Sequence, residues 1–143
     1  MAFLIATGTS APGLKIGGTD LSDHVQSIEV QMNNADLDVT AMGAVSQQHA
    51  PGLRDDRIIV TFFQDFAASK VDAVINPLVG SAAGATIVAY ANGTTASATA
   101  PSYTCAMTPY TYSPLNGAVG TPFQTQVTFL PVQGSAGIVR ATS

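Results

Sequence analysis

Charged residues are scarce in this chain. Lysine, arginine, aspartate and glutamate make up 10% of its 143 residues, whereas soluble domains usually carry about 25%. The apolar fraction is 46%, which argues against a disordered chain, because such chains are poor in aliphatic and aromatic residues. Monomers generally depend on surface Lys and Glu for solubility. We therefore interpret the deficit as a sign that partners cover much of the folded surface.

Basic residues are the rarer of the two charges. Five Lys and Arg stand against nine Asp and Glu, which gives a net charge of −4 and a pI near 4.6. This balance argues against a protein that binds nucleic acid by neutralising phosphates. It does not exclude a protein that lets nucleic acid slide past. From Ala73 onward, Arg140 is the only charged residue.

Cysteines and long apolar runs are also lacking. Cys105 stands alone, which excludes a disulfide framework or a cysteine-rich zinc site and predicts a half-buried thiol on a strand. The apolar run at residues 2–6 is short and has no basic residues before it, unlike a signal peptide. No stretch approaches the roughly 18 apolar residues of a membrane span. We expect a protein made in the cytoplasm, with no membrane partner.

Catalytic signatures are missing as well. The sequence contains no G-x-S-x-G elbow, no phosphate-binding loop, no G-x-G-x-x-G and no H-E-x-x-H. His24 follows Asp20 and Asp23, which could form a weak metal site, but a solvated loop histidine is the commoner outcome. We predict no catalytic residue, no metal and no cofactor.

Four tyrosines raise the question of base stacking. A platform for single-stranded nucleic acid would need a basic groove beside them, and the sequence offers none. Packing between neighbouring strands is the favoured role. The residues are Tyr90, Tyr103, Tyr110 and Tyr112.

Strand patterning dominates what is present. From Ser27, apolar and polar residues alternate and predict a half-buried strand with Glu29 and Gln31 on its polar side. Residues 57–64 have two largely apolar faces, which predicts a central strand covered on both sides. Further strands are predicted at residues 14–16, 86–90, 103–112 and 123–130. Pro109 places the strand at residues 103–112 at an edge or bulge. The strand at residues 123–130 carries Gln124 and Gln126 on its polar side.

A single helix is predicted between the strands. Apolar residues recur at i, i+3, i+4 and i+7 and form a stripe that should pack on the core; they are Val71, Val74, Ile75 and Leu78. Pro77 predicts an end at Asn76. Asp65, or a capping box from Ser69 to Asp72, is expected to cap its start.

These elements predict a mainly β fold. It is a β-sandwich or open barrel of six to seven strands, with one flanking α-helix and a long inter-strand loop over residues 33–56. The predicted organisation is an extended N-terminal arm (residues 1–13), a single β domain (residues 14–134) and a C-terminal tail (residues 135–143).

Four of the fourteen charged residues, five basic plus nine acidic, lie side by side at residues 54–57. Neighbours along an extended chain point to opposite faces, so Asp55 and Asp56 cannot easily share one substrate. Their alternation with Arg54 and Arg57 indicates ion pairs, either within the chain or across an interface. Exposed pairs contribute about 0–1 kcal/mol, whereas desolvated interfacial pairs fix register. We expect these residues to form interfacial pairs that fix the register between subunits.

The order of these parts resembles the major tail (tail tube) proteins of long-tailed, siphovirus-type bacteriophages. The resemblance lies in the segments DLDVTAMG (residues 36–43), APGLRDDRIIVTFFQDF (residues 50–66) and PFQTQVTFLPVQG (residues 122–134). Family members often show an acidic residue before Val-Thr and a later Gly, here Asp38-Val39-Thr40 and Gly43. A Gly-Leu-Arg-Asp step, here Gly52 to Asp55, then leads into a strand ending at an Asp, here Asp65.

The resemblance implies a structural virion protein rather than an enzyme. Hexameric rings would stack into a tail tube that conducts DNA during ejection. The partners implied are further copies of the chain, a tape measure protein and other tail proteins. Residues 33–56 would reach a neighbouring subunit or ring. The expected inter-subunit residues are Asp36, Asp38, Arg54, Asp55, Asp56 and Arg57.

The resemblance also implies an acidic lumen. Double-stranded DNA would pass through it without specific binding, because like charge keeps the duplex mobile. The polar strand residues expected to face the lumen are Glu29, Gln31, Gln124 and Gln126. The alternatives are a phage head decoration or head–tail joining protein and, from another class, a small β-barrel enzyme or binding module.

Overall fold

The computed structural model describes residues 11–143. Its strands are β1 (Gly13–Ile16), β2 (Thr19–Asp20), β3 (Val25–Gln31), β4 (Asn34–Asp38), β5 (His49–Arg54), β6 (Arg57–Phe63), β7 (Ala85–Tyr90), β8 (Ser102–Thr111), β9 (Gln124–Pro131) and β10 (Val139–Ala141). Helix α1 spans Val71–Ile75, and 3-10 turns span Ser22–His24 and Asn76–Leu78. None of the helices described is both long and apolar enough to cross a bilayer. Residues 1–10 of the predicted N-terminal arm lie outside the described residues.

Eight strands form one antiparallel sheet that curls around the core. Their order is β2-β1-β7-β8-β9-β6-β3, with β10 paired to β8, while β4 and β5 form a separate two-stranded hairpin. Leu14 of β1 and Val60 of β6 belong to one buried cluster, although three strands lie between them in the sheet. The sheet must therefore bend back on itself. The predicted mainly β fold with one flanking α-helix is confirmed, although residues 11–143 form ten strands rather than the six or seven predicted.

Strand β6 lies at the centre of this architecture, between β3 and β9. Its residues Ile58, Val60 and Phe62 are fully buried, as their alternation predicts. The other face differs from the prediction, because Ile59 and Thr61 are half-buried and Phe63 remains 37% exposed. Polar residues of β3 and β9 flank this face.

Helix α1 ends at Ile75, and Asn76 is its C-cap, close to the end that Pro77 predicts. Asn76 nevertheless keeps helical dihedrals (φ −57°, ψ −42°) and opens the 3-10 turn that contains Pro77. Val71 and Ile75 are fully buried in the core cluster, and Val74 and Leu78 pack against its edge. The capping prediction is wrong. Lys70 occupies the N-cap position without a side-chain hydrogen bond, while Asp65 Oδ1 accepts the N–H of Ala67 at 2.9 Å and closes the preceding turn.

Strand β8 carries the predicted irregularity at Pro109. Its pairing with β9 shifts register between Pro109 and Thr111, because proline lacks the N–H that a regular ladder needs. Cys105 on the same strand is buried rather than half-buried. Burial raises the pKa of its thiol above the ordinary value, and a contact of 3.4 Å with Ser135 Oγ partly opposes the shift.

The C-terminal segment does not behave as the predicted tail. Strand β10 pairs with β8, joining Val139 to Thr104 and Ala141 to Ser102. Ile138, immediately before it, is buried in the core cluster. Residues 135–141 therefore belong to the β domain.

Candidate assembly surfaces

The inter-strand excursion folds as a hairpin that stands apart from the main sheet. Strands β4 and β5 pair with Leu37 opposite Ala50 and Asp38 opposite His49. Beyond them, the N–H of Val39 donates to the carbonyl of Gln48 at 2.9 Å. A two-stranded hairpin is at best marginally stable on its own in water. This one therefore needs support from elsewhere.

Apolar side chains on the hairpin are largely uncovered. Met42 and Val45 at its tip are fully exposed, and Leu53 near its base is 88% exposed. Leu37 and Val39 are each about half exposed. Clustered exposed apolar residues mark protein interaction sites. The hairpin is thus a candidate interaction surface.

The predicted inter-subunit residues of the hairpin are found in local polar contacts. Asp36 Oδ1 lies 2.7 Å from His49 Nδ1 on the exposed hairpin surface. Asp38 Oδ1 accepts the N–H of Thr40 at 2.9 Å, and the hydrogen bonds from Thr40, first that of its side chain, lower the pKa of Asp38. Both carboxylates remain exposed. Their interface role stays a prediction.

The charge cluster at the hairpin base divides into two unlike pairs. Arg57 Nη2 lies 2.8 Å from Asp55 Oδ2 on the surface. Arg54 Nη2 lies 2.6 Å from Asp56 Oδ2, where the Asp56 side chain is 0% exposed and that of Arg54 is 41% exposed. The expectation that Asp56 faces a neighbouring subunit needs correction, because its carboxylate is enclosed by this chain. The intrachain alternative applies to Asp56, while Arg54, Asp55 and Arg57 keep exposed surface.

The four polar strand residues expected at a lumen lie on one face of the main sheet. In antiparallel pairs, directly opposed residues share a face. Glu29 is opposite Ile59, and Ile59 is opposite Thr128. The other opposed pairs of this face are Gln31 with Arg57, Thr61 with Gln126 and Phe63 with Gln124.

This surface, which we call the polar sheet face, is opposite the core. Val60, Val127 and Phe129, the inward neighbours of these residues, are fully buried. The Gln31 amide donates to Glu29 Oε1 at 2.7 Å. The face therefore combines amides and hydroxyls with the apolar side chains of Ile59 and Phe63, the acidic Glu29 and, at one end, the basic Arg57.

His24 is a largely buried side chain held between two carboxylates, not the solvated loop histidine that was expected. Its Nδ1 lies 2.7 Å from Asp23 Oδ1 and its Nε2 lies 2.8 Å from Asp65 Oδ2, with the ring 16% exposed. Asp20 turns instead to the Ser22 backbone and hydroxyl. Among residues 11–143, no three His, Cys, Asp or Glu side chains converge as a metal site. Asp65 could not be recognised from the sequence as a partner of His24, because the two residues lie 41 positions apart in the chain.

The ionisation of the His24 cluster follows from its two carboxylates. Desolvation, the largest single effect, lowers the pKa of His24, but the hydrogen bonds to Asp23 and Asp65 outweigh it and raise that pKa. The hydrogen bond from His24 lowers the pKa of Asp23. Asp65 also has a lowered pKa, first through the N–H of Ala67 and then through His24.

The tyrosines do not form a stacking platform. Tyr90 is opposite Ser102 and Tyr103 is opposite Ala89, so these two rings lie on opposite faces of the β7–β8 pair. Tyr112 donates to Asp72 Oδ1 at 2.7 Å beside α1, and burial raises its pKa to about 12.

Chains of several solved particles share this fold. A chain of the native gene transfer agent virion superposes with a TM-score of 0.68 at 8% identity, over 94% of this chain and 99% of that one. A chain from the tail of the empty gene transfer agent particle, which has C6 symmetry, gives 0.67 at 9% identity, over 93% and 98%. A chain of the PVC sheath–tube complex, an extracellular contractile injection system, gives 0.67 at 9% identity, over 97% and 93%.

No protein-family model and no curated protein matches the sequence. At these low identities the likeness establishes the fold, and it extends over nearly the whole of each chain. The neighbours belong to gene transfer agent and contractile injection particles, so the siphovirus type of tail stays a prediction. The chain has the fold of tail tube proteins.

Proposed function

We propose that this chain is a structural virion protein that assembles into stacked hexameric rings and so forms a tail tube. The observation that carries the proposal is the tail tube fold over nearly the whole chain, including a match to a chain from a particle tail with C6 symmetry. The protein has a structural role rather than a catalytic one.

The hairpin supplies an interface for this assembly. Its fully exposed tip residues Met42 and Val45, and Leu53 near its base, become buried when the hairpin contacts a neighbouring copy. A surface patch that docks on a different patch of the next copy generates rings or open filaments. Asp36, Asp38, Arg54, Asp55 and Arg57 border the same interface and fix its orientation. Asp56 contributes from within the subunit by holding Arg54.

The two edges of the sheet formed by residues 11–143 supply a second interface. Strand β3 is at one end of the sheet and β2 at the other. An edge strand presents unpaired N–H and C=O groups that can pair with another chain. Side-by-side subunits would join β3 to a neighbour's sheet and so close a ring.

The polar sheet face lines the lumen. Its residues Glu29, Gln31, Gln124 and Gln126 offer hydrogen-bonding groups without basic side chains of their own, and Arg57 at its edge is paired with Asp55. Double-stranded DNA, which carries one negative charge per ~1.7 Å, would find no strong binding site there. The duplex can therefore pass during ejection. A tape measure protein would occupy the same lumen before ejection.

In this function the protein is made in the bacterial cytoplasm and resides in the virion tail, beside other tail proteins. Electron microscopy of the purified protein tests the proposal directly. We expect six-fold rings or filaments. A head decoration or joining protein would remain monomeric or trimeric and bind capsids. A stable monomer at high concentration would contradict the tube function.

A further inference from the structure

The buried pair at the hairpin base also holds the C-terminal segment. Asp56 Oδ2 accepts the backbone N–H of Ile138 at 2.8 Å. Arg54 Nη2 donates to the backbone carbonyl of Ile138 at 3.1 Å. Both backbone polar groups of Ile138 are therefore hydrogen-bonded at the end of β5, the N–H to Asp56 and the carbonyl to Arg54. We call this arrangement of Arg54, Asp56 and Ile138 the clamp.

The clamp is closed around a glycine. A Cβ on Gly137 would lie 2.5 Å from Asp56 Oδ2 and 3.3 Å from Arg54 Cζ. These separations are too short for any larger residue unless the two side chains move. Gly134, three residues earlier, has a similar positive φ of +84° against +90° for Gly137, yet a Cβ there would meet nothing within 4 Å. The close fit is thus specific to the clamp.

The surroundings give the clamp room to open. A cleft of about 400 Å³ lies beside it, lined by Leu53 from the hairpin and by Ser135 and Ala136 from the C-terminal segment. Asp56 Oδ1 is buried without a hydrogen-bond partner among residues 11–143. A buried, half-satisfied carboxylate is costly when its remaining partners are lost.

We propose that the C-terminal segment positions the hairpin through this clamp. Residues 135–141 are anchored in the body of the protein by Ile138 in the core and by β10 on β8. Among residues 11–143, the hairpin strands β4 and β5 pair only with each other. Asp56 and Arg54 are positioning residues that transmit the placement of the C-terminal segment to the base of β5. That the hairpin contacts a neighbouring copy rests on the proposed function, whereas the clamp coupling does not.

Hydrogen exchange on the unassembled full-length chain tests the coupling. The readout is the ratio of exchange at hairpin amides, such as Val39 and Asp55, to exchange at core amides of β6. We expect Gly137→Ala to raise this ratio by on the order of tenfold. The added methyl group opens the clamp and so frees the hairpin, while the core strands stay closed because a local segment can open without unfolding the rest of the protein. Gly134→Ala is the matched control, because it carries the same backbone strain without the contact, and we expect its ratio to stay near that of the parent.

A second pair of variants removes a charge rather than adding a methyl group. Asp56→Asn keeps the shape of the clamp and removes its charge, while Asp55→Asn removes the same charge from the exposed neighbouring pair. We expect the first to raise exchange in residues 34–54 and 135–141 together, and the second to change neither.

Equal ratios in Gly137→Ala and Gly134→Ala, or in Asp56→Asn and Asp55→Asn, would overturn the proposal. A rise confined to residues 135–141 would also overturn it, because the hairpin would then be independent of the C-terminal segment. Assembly by the parent chain is scored separately in the microscope. Failure of the clamp is therefore distinguishable from failure of the tube function.

Discussion

Nε2 of His24 lies 2.8 Å from Oδ2 of Asp65 and ties the turn before β3 to the segment that leads into α1. The other ring nitrogen contacts Asp23, whose second carboxylate oxygen lies 3.5 Å from Lys70 Nζ. A half-buried imidazole between two carboxylates is most stable when it is protonated and they are not.

The stability of the fold should therefore depend on pH through His24. The raised pKa of His24 in the folded state means that its contribution is complete below the unfolded value of about 6.5 and is lost as pH rises through the folded value. The lowered pKa values of Asp23 and Asp65 mean that theirs is present above about pH 4 and is lost as pH falls further.

We expect the Tm to be highest between about pH 4 and 6.5 and to fall on either side. In His24→Gln the fall above this window should be reduced, and thermal melts of both proteins from pH 4 to 9 measure the difference. Parallel curves for the two proteins above pH 6.5 would show that the His24 contacts do not contribute.

Reversing the charge of the arginine should reduce the unfolding free energy by different amounts in the two ion pairs at the hairpin base. Arg54→Glu leaves the enclosed Asp56 carboxylate unpaired and adds a like charge, which should cost about 3 kcal/mol of unfolding free energy. Arg57→Glu disrupts an exposed pair and should cost less than about 1 kcal/mol. Urea denaturation measures both, and similar losses would contradict the burial difference.

In the microscope, Arg57→Glu should still abolish tube formation, because that residue borders the proposed interface. If a folded Arg57→Glu protein forms tubes of normal appearance, Arg57 is not part of the interface.

The hairpin tip should matter for assembly and not for stability. Met42→Lys and Val45→Lys alter fully exposed side chains, so the unfolding free energy should change by no more than about 0.5 kcal/mol. Both should prevent filament formation at concentrations where the parent assembles, as measured by sedimentation and negative stain. Met42→Leu keeps the apolar surface and is the control that should assemble. Filaments from either lysine variant would exclude the tip from the interface.

The polar sheet face should be shielded in the assembled tube. Gln126 lies on this face, whereas Ala73 is exposed on α1, which packs on the opposite, core side of the sheet. Gln126→Cys and Ala73→Cys should both react with a polymer-linked maleimide as subunits, while buried Cys105 reacts slowly. In tubes, only Ala73→Cys should stay reactive. Equal labelling of both cysteines in tubes would contradict a lumenal polar face.

Much of the main sheet could be predicted because burial leaves a periodic signal in the sequence. The alternation in β3 and β9 placed Glu29, Gln31, Gln124 and Gln126 on the polar sides of their strands. In β6, where both faces are apolar, the alternation did not show which face is buried. Pro77 and Pro109 predicted a helix end and a register shift, because proline removes a donor wherever it stands. These effects are local, so a short stretch of sequence is enough to predict them.

What was missed depends on contacts between distant residues. Ile138 follows the small residues Ser135, Ala136 and Gly137 and belongs to no periodic apolar pattern. Its core position was therefore not visible in the sequence, and β10 was predicted as part of a tail. Asp56 and its neighbour Asp55 look alike in the sequence. Only the approach of Ile138, 82 residues away, makes one carboxylate a buried acceptor and leaves the other on the surface.

The sheet order has a consequence for the speed at which subunits become available. Strand β1 pairs with β7, and β6 pairs with β9, so long chain loops must close before the core can form. Folds dominated by such non-local pairing fold in about milliseconds to seconds. At high subunit concentration the encounter of two folded copies becomes the faster event. We therefore expect maturation of each newly made chain, rather than its collision with a growing end, to limit the rate of elongation.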